Sequence, residues 1–191
     1  MLKGKRIGIA ITGSFCMFDA ALEVMEALVG EGAILTFILS PATNEMDTKF
    51  GTAEDFREKL EKLSPNPLIR TIPEAEPIGP KKLLDALIVL PATGNTMAKL
   101  AAGITDTPTT MAVKSHLRNG SPVVIGISSN DALGMGAKNI GHLLASRNIY
   151  FIPFGQDDAM GKPRSMVFSK EHVIPAVQEA LKGRQVQPLL I

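Results

Sequence analysis

Leu87-Ile-Val-Leu-Pro-Ala-Thr-Gly-Asn-Thr-Met-Ala-Lys-Leu100 joins a short apolar run to a small-residue polar turn and then to residues of good helix propensity. It reads as a buried strand ending near Pro91, a tight loop over Ala92 to Thr96, and a helix opening directly behind it. In open α/β sheets, ligands sit outside the carboxyl ends of the strands, at loops of this kind. Backbone N–H groups free at a helix start, with hydroxyl and amide side chains beside them, can hold an anionic or polar ligand. The segment therefore points to a nucleotide-like cofactor.

Working outward, short apolar runs alternate with helical patterns, the signature of βαβ units and a mostly parallel sheet. Strands are expected at Arg6–Ile11, Ile34–Leu39, near Leu68–Ile72, at Asp85–Leu90, Pro122–Ile127 and Ile149–Phe154. Helices are expected over Met17–Val29, with Ala21, Leu22, Met25, Leu28 and Val29 on one face, and over Glu54–Leu63, around Lys81–Leu84, and over Asn95–Ala102. Others follow from Asp106-Thr-Pro108 to Asn119-Gly120, over Ala132–Arg147, and over Lys170–Lys182. Phe56, Leu60 and Leu63 give the second helix a narrow apolar stripe, with Asp55–Lys59 and Glu58–Lys62 as favourable pairs one turn apart. The expected architecture is a three-layer α/β sandwich of about six strands, with residues 1–191 as one domain.

Composition narrows the function classes. With 191 residues and a formal net charge of +1, nothing suggests nucleic acid or an anionic membrane as a partner. One cysteine fits a reducing compartment, no apolar run approaches the length of a membrane span, and no leader is visible, so a cytoplasmic protein is expected.

Four strand-to-loop junctions collect hydroxyl, glycine and amide residues: Thr12-Gly13-Ser14, Ser40-Pro-Ala-Thr43, Thr93-Gly94-Asn95-Thr96 and Ser128-Ser129-Asn130-Asp131. Helix capping alone accounts for any one of them. In a parallel sheet all four lie at one edge, and together they favour a shared ligand site. Phosphate motifs of the familiar kinds fail. Gly8-x4-Gly13 is followed by Ser14 and Phe15 where a P-loop needs Lys and Ser/Thr, and Gly134-x-Gly136 lacks the third glycine of the dinucleotide fingerprint, although Asp157 stands about twenty residues on. His116, His142 and His172 show no metal-ligand spacing and read as surface or helix-packing residues; no metal site is expected. Cys16 reads as a small buried packing residue. Lys99, one turn after Asn95, faces a ligand, a neighbouring subunit or solvent.

Pro91-Ala-Thr-Gly-Asn-Thr-Met-Ala-Lys-Leu-Ala-Ala-Gly103 resembles the Pro-Ala-Ser-Ala-Asn-Thr-(Ile/Met)-Ala-Lys signature of the homo-oligomeric flavoprotein family that includes the flavin-dependent cysteine decarboxylases. Ile104-Thr-Asp106, Thr12-Gly13-Ser14 and Ser40 match in place and kind, and the resemblance runs from Lys5 to about Pro153. It implies a Rossmann-like fold and FMN held by Gly13, Ser14 and Ser40 near the phosphate. Thr93, Gly94, Asn95 and Thr96 would lie along the ribityl chain and ring, with Ser128 and Ser129 approaching from the last junction. Trimers or dodecamers with flavin between subunits are also implied.

Ile11-Thr-Gly-Ser-Phe-Cys16 and Gly126-Ile-Ser-Ser-Asn-Asp-Ala-Leu-Gly134 carry a closer likeness to one branch of the family. These are flavoprotein subunits that work in sporulation beside a nicotinamide-binding partner subunit. The likeness implies an oxidoreductase removing two hydrogens from a dihydropyridine dicarboxylate. Cationic partners for such a substrate are Lys99, Lys138 and Arg164 by charge alone; no catalytic residue is assigned.

Two departures separate the chain from the decarboxylases. Their Pro-Ala-Met-Asn segment, which clamps a peptide carboxylate, reads Ile127-Ser-Ser-Asn-Asp131 here, and the histidine they use between the second and third strands has no counterpart in residues 40 to 70. Decarboxylation of a peptidyl cysteine is disfavoured. A non-catalytic nucleotide-binding or scaffolding subunit, a flavin-dependent decarboxylase and a flavin prenyltransferase remain as alternatives.

Overall fold

A computed structural model describes residues 2–191. Its sheet is built around β1 (Arg6–Ile11), buried from Ile7 onward, which pairs in parallel with β2 (Ile34–Leu39) on one side and β3 (Ala86–Ala92) on the other. β4 (Val123–Ser129) continues the parallel order beyond β3. The far edge of β4 is then shared. Val123 to Ile125 pair in parallel with β5 (Ile149–Phe151), while Ser128 and Ser129 pair antiparallel with β7 (Met166–Phe168), which itself pairs antiparallel with β6 (Phe154–Gly155).

Among the described residues the sheet thus has seven strands, close to the six or so expected, and is mostly parallel as expected. The difference lies at Pro153, which has no N–H to donate to a ladder. The run read as one strand over Ile149–Phe154 therefore divides into β5 and β6, and Met166–Phe168 supplies a strand not anticipated.

Alternation along the strands divides the core into two layers, because successive side chains point to opposite faces. Ile7, Ile9 and Ile11 pack with α1 (Phe18–Gly30), α3 (Ala53–Leu63) and α8 (Val173–Ala180). Ala10, Leu87 and Val89 pack with α5 (Gly94–Ala101), α6 (Pro108–Leu117) and α7 (Ala137–Leu144). Helices on both faces give the three-layer, Rossmann-like sandwich.

Local chemistry explains the departures. On α1, Val24 takes the inward place assigned to Val29, which is exposed. The strand expected near Leu68–Ile72 shrinks to a bridge at Ile69 beside Ile38, because Pro73 at the first turn and a Thr71–Glu74 capping box start α4 (Ile72–Ala75). The helix expected around Lys81–Leu84 is a turn, with the Lys82 amide bonded to Gly79 O at 2.9 Å and Lys82 at φ 47°. The helix expected from Ala132 begins only at Ala137. Before it, the amides of Gly134 and Gly136 both close on Asp131 O, and glycine is a poor helix former. The pairs Asp55–Lys59 and Glu58–Lys62 are absent from the six ion pairs among the described residues, a normal outcome for exposed charges.

Candidate functional site

Because β1 to β4 run parallel, their carboxyl ends lie at one edge, and hydroxyl side chains stitch the loops leaving it. Thr12, fully buried after β1, donates through Oγ1 to the Pro91 carbonyl at 2.7 Å and accepts from the Thr93 amide at 3.0 Å. Ser14 and Ser128 share a hydrogen bond of 2.6 Å between their hydroxyls. The Ser40 amide donates to Ile11 O at 3.0 Å, and its Oγ caps α2 (Pro41–Glu45) by accepting from the Thr43 amide. Thr93 caps α5 in the same way, accepting from the Thr96 amide at 3.3 Å. Capping is thus real for Ser40 and Thr93. It does not account for Ser14, Ser128 or Asn95.

The nine residues singled out in sequence line two adjoining clefts. One, of about 270 Å³, is walled by Ser14, Gly94, Ser128 and Ser129. The other, of about 400 Å³, is walled by Ser40, Asn95 and Thr96. Gly13 and Thr93 belong to both, so the two clefts adjoin there. The walls touch closely at Gly94, where a Cβ would stand 2.8 Å from Ser129 Oγ.

Each cleft carries one lysine. Lys99, in the cleft with Ser40, binds both oxygens of Asp106 at 2.9 and 2.8 Å, which holds that carboxyl below the usual aspartate range. Lys162, in the cleft with Ser14, meets Asp157 at 3.3 Å. The Ser165 hydroxyl first and the Lys162 ammonium second hold Asp157 low. Lys138 and Arg164 are exposed and line neither cleft.

Sequence reasoning missed Lys162, Asp157 as a wall residue, and Ser165. They arrive on residues 156–165, the loop between β6 and β7, past Pro153, as far as the resemblance was read from the sequence. It also placed Cys16 wrongly. The thiol is exposed in the wall of the smaller cleft, 3.9 Å from Ser14 Oγ, because the 3₁₀ turn Phe15–Met17 lies before α1 and buries none of its residues. None of the three histidines lines either cleft: His116 is buried, His142 exposed, and His172 bonded to Ser169 Oγ at 2.8 Å. Among the described residues there is no cluster suited to a metal ion, and no helix long and apolar enough to cross a membrane.

Residues 1–167 match the flavoprotein family. The chain belongs to that family. It is 44% identical over 190 residues to the B-type subunit of dipicolinate synthase from Bacillus subtilis strain 168, spanning 100% of this chain and 95% of that protein. The crystal structure of the B-type subunit of dipicolinate synthase from Bacillus halodurans is likewise 44% identical and superposes with a TM-score of 0.91, covering 100% of this chain and 97% of that one. These relatives bear out the closer likeness read in Ile11–Cys16 and Gly126–Gly134. A wider likeness, of fold alone, extends to Burkholderia xenovorans DmrB, a cubic cage for redox transfer solved with FMN. That chain is 21% identical with a TM-score of 0.68, covering 93% of this chain and 96% of that one.

Proposed function

We propose that this flavoprotein is the FMN-binding subunit of a dipicolinate synthase, an oxidoreductase that converts dihydrodipicolinate to dipicolinate in the cytoplasm during sporulation. Its partners are a nicotinamide-binding A-type subunit and further copies of itself in a trimer or dodecamer. The observation that carries the reading is the pair of clefts joined at Gly13 and Thr93, lined mostly by hydroxyl, glycine and amide groups at the carboxyl edge of a parallel sheet.

Gly13, Ser14 and Ser40 are the residues for the phosphate. The Thr93 cap takes up the Thr96 amide and leaves the Gly94 and Asn95 amides outside the helical ladder, where they can meet ligand oxygens. Asn95, Thr96, Ser128 and Ser129 supply further polar contacts along the two clefts. Gly94 leaves the space beside Ser129 in the smaller cleft free of a side chain. FMN supplies the two-electron acceptor that no side chain of the chain provides. The protein positions it, excludes water, and sets its electronics.

The visible absorption spectrum of the native protein tests the reading. A flavin spectrum is expected, and protein that is colourless and stays so after incubation with FMN overturns it. Turnover of dihydrodipicolinate by the partner subunit should rise when this chain is added. Flavin binding without that effect would indicate a scaffolding subunit instead.

A further inference from the structure

We propose that Lys162 is the residue of this chain that takes a carboxylate of the substrate, acting from a loop fastened directly onto the site. The inference rests on the dicarboxylate reading above.

The fastening comes first. β7 pairs with β4 only through Ser128 beside Val167 and Ser129 beside Met166, so the β6–β7 hairpin is anchored on the two serines that wall the smaller cleft. Its loop is internally braced. The Gly161 amide donates to Asp158 Oδ1 at 2.7 Å, the Lys162 amide to Asp158 O at 2.8 Å, and the Ser165 amide to Lys162 O at 2.9 Å. Arg164 O also accepts the Leu133 amide at 2.9 Å, joining the loop to the turn after β4. The backbone at Lys162 is therefore held in place beside Ser14 and Ser128.

Charge comes second. Among the described residues, Lys162 is the only cation lining this cleft, whose other walls are uncharged apart from Asp157. A carboxylate entering beside Asn130, on the Lys162 side of the Ser14–Ser128 pair, needs a cationic partner, and an ammonium–carboxylate contact is among the stronger hydrogen bonds available.

Availability comes third. Lys99 is gripped by both oxygens of Asp106, and its side chain is only 23% exposed. Lys162 has one contact of 3.3 Å and is 56% exposed. Its ammonium can pass from Asp157 to an incoming carboxylate at little cost, since exposed single contacts contribute little. Asp157 thus parks the ammonium at the cleft until a stronger anion arrives.

The test is equilibrium binding of pyridine-2,6-dicarboxylate to the full chain loaded with FMN, read by calorimetry and by the shift in flavin absorbance. Lys162→Ala should weaken binding about tenfold or more while its flavin content stays at the wild-type level. Lys162→Arg should stay within a few-fold of wild type. Asp157→Asn, which releases the ammonium, should bind as tightly as wild type or more tightly. Equal binding by wild type and Lys162→Ala overturns the inference and leaves the flavin reading intact. So does an Asp157→Asn variant that loses as much affinity as Lys162→Ala, because Lys162 then acts only by holding the loop. Flavin-loaded wild type that does not bind the dicarboxylate overturns the inference together with the substrate reading; protein that never takes up FMN overturns the cofactor reading beneath both.

Discussion

Replacing Thr12 with valine removes one oxygen from the edge of the sheet and leaves shape and β-branching in place. That oxygen donates to Pro91 O and accepts from the Thr93 amide, so its loss strands a buried carbonyl and a backbone N–H together. An unsatisfied buried polar group costs about 1–3 kcal/mol. The carbonyl is fully buried and takes the upper part of that range; the amide borders the clefts, where water can reach it, and takes the lower. The sum is about 3–4 kcal/mol out of a total stability of roughly 5–15 kcal/mol. Urea unfolding of the flavin-free protein measures it: the midpoint should fall with the slope unchanged. Thr12→Ser keeps the hydroxyl, loses a methyl group, and should cost only about 1 kcal/mol. Thr12→Val should also weaken flavin retention, because the amide it releases belongs to the cap of α5. A Thr12→Val protein within about 0.5 kcal/mol of wild type would refute the reasoning.

Gly94→Ala tests the wall of the smaller cleft beside Ser129. Ser129 Oγ can rotate away from the new methyl, and alanine favours the helix start, so stability should hold or rise by up to about 1 kcal/mol while flavin absorbance drops. Unchanged flavin affinity would argue against a ligand beside Gly94. His116, buried with its Nε2 unpartnered, has its pKa lowered by burial from 6.5 to about 4. The folded protein keeps it neutral while the unfolded chain takes up a proton, so stability should decline as pH falls from 6.5 towards 4, by up to about 3 kcal/mol. His116→Gln should flatten that slope in pH-dependent unfolding, and an unaltered slope would contradict the assignment. Asp85 accepts the Arg6 amide at 2.8 Å and its guanidinium at 2.9 Å, which hold its carboxyl below the ordinary 3.8. This contribution is present above that value and lost as pH falls below it; in this partly exposed pair it is about 1 kcal/mol, and Asp85→Asn should remove it from the acid limb of the unfolding curve.

The parallel core was legible because each strand from Arg6 to Ile127 is a mostly apolar run closed by small polar residues. That pattern carries both strand position and chain direction. Where prolines and glycines crowd together, over Ser64–Pro80 and Asn130–Gly136, local caps and turns decided the structure, and periodicity misled. The four junctions were read as a set at one edge, as they are. Which of them share a wall was not legible, since the split into two clefts depends on loop-to-loop bonds such as Thr12 to Pro91 and Ser14 to Ser128, 79 and 114 residues apart in the chain. The charged wall was invisible for a further reason: Asp157 and Lys162 have no motif, and only the antiparallel pairing of β7 carries them to Ser128 and Ser129.

That pairing has a consequence for how chemistry can diversify on this scaffold. Through two residue pairs, β4 holds a ribbon that ends outside the parallel sheet, with Phe154, Met166 and Phe168 as its buried roots. A ribbon of different length or charge could be grafted between those roots without disturbing Gly13, Ser40 or the start of α5. On the proposed reading, substrate choice and cofactor capture are then separately evolvable. The same boundary marks where a designer could exchange the loop between β6 and β7 for another while retaining the loops that close the parallel strands.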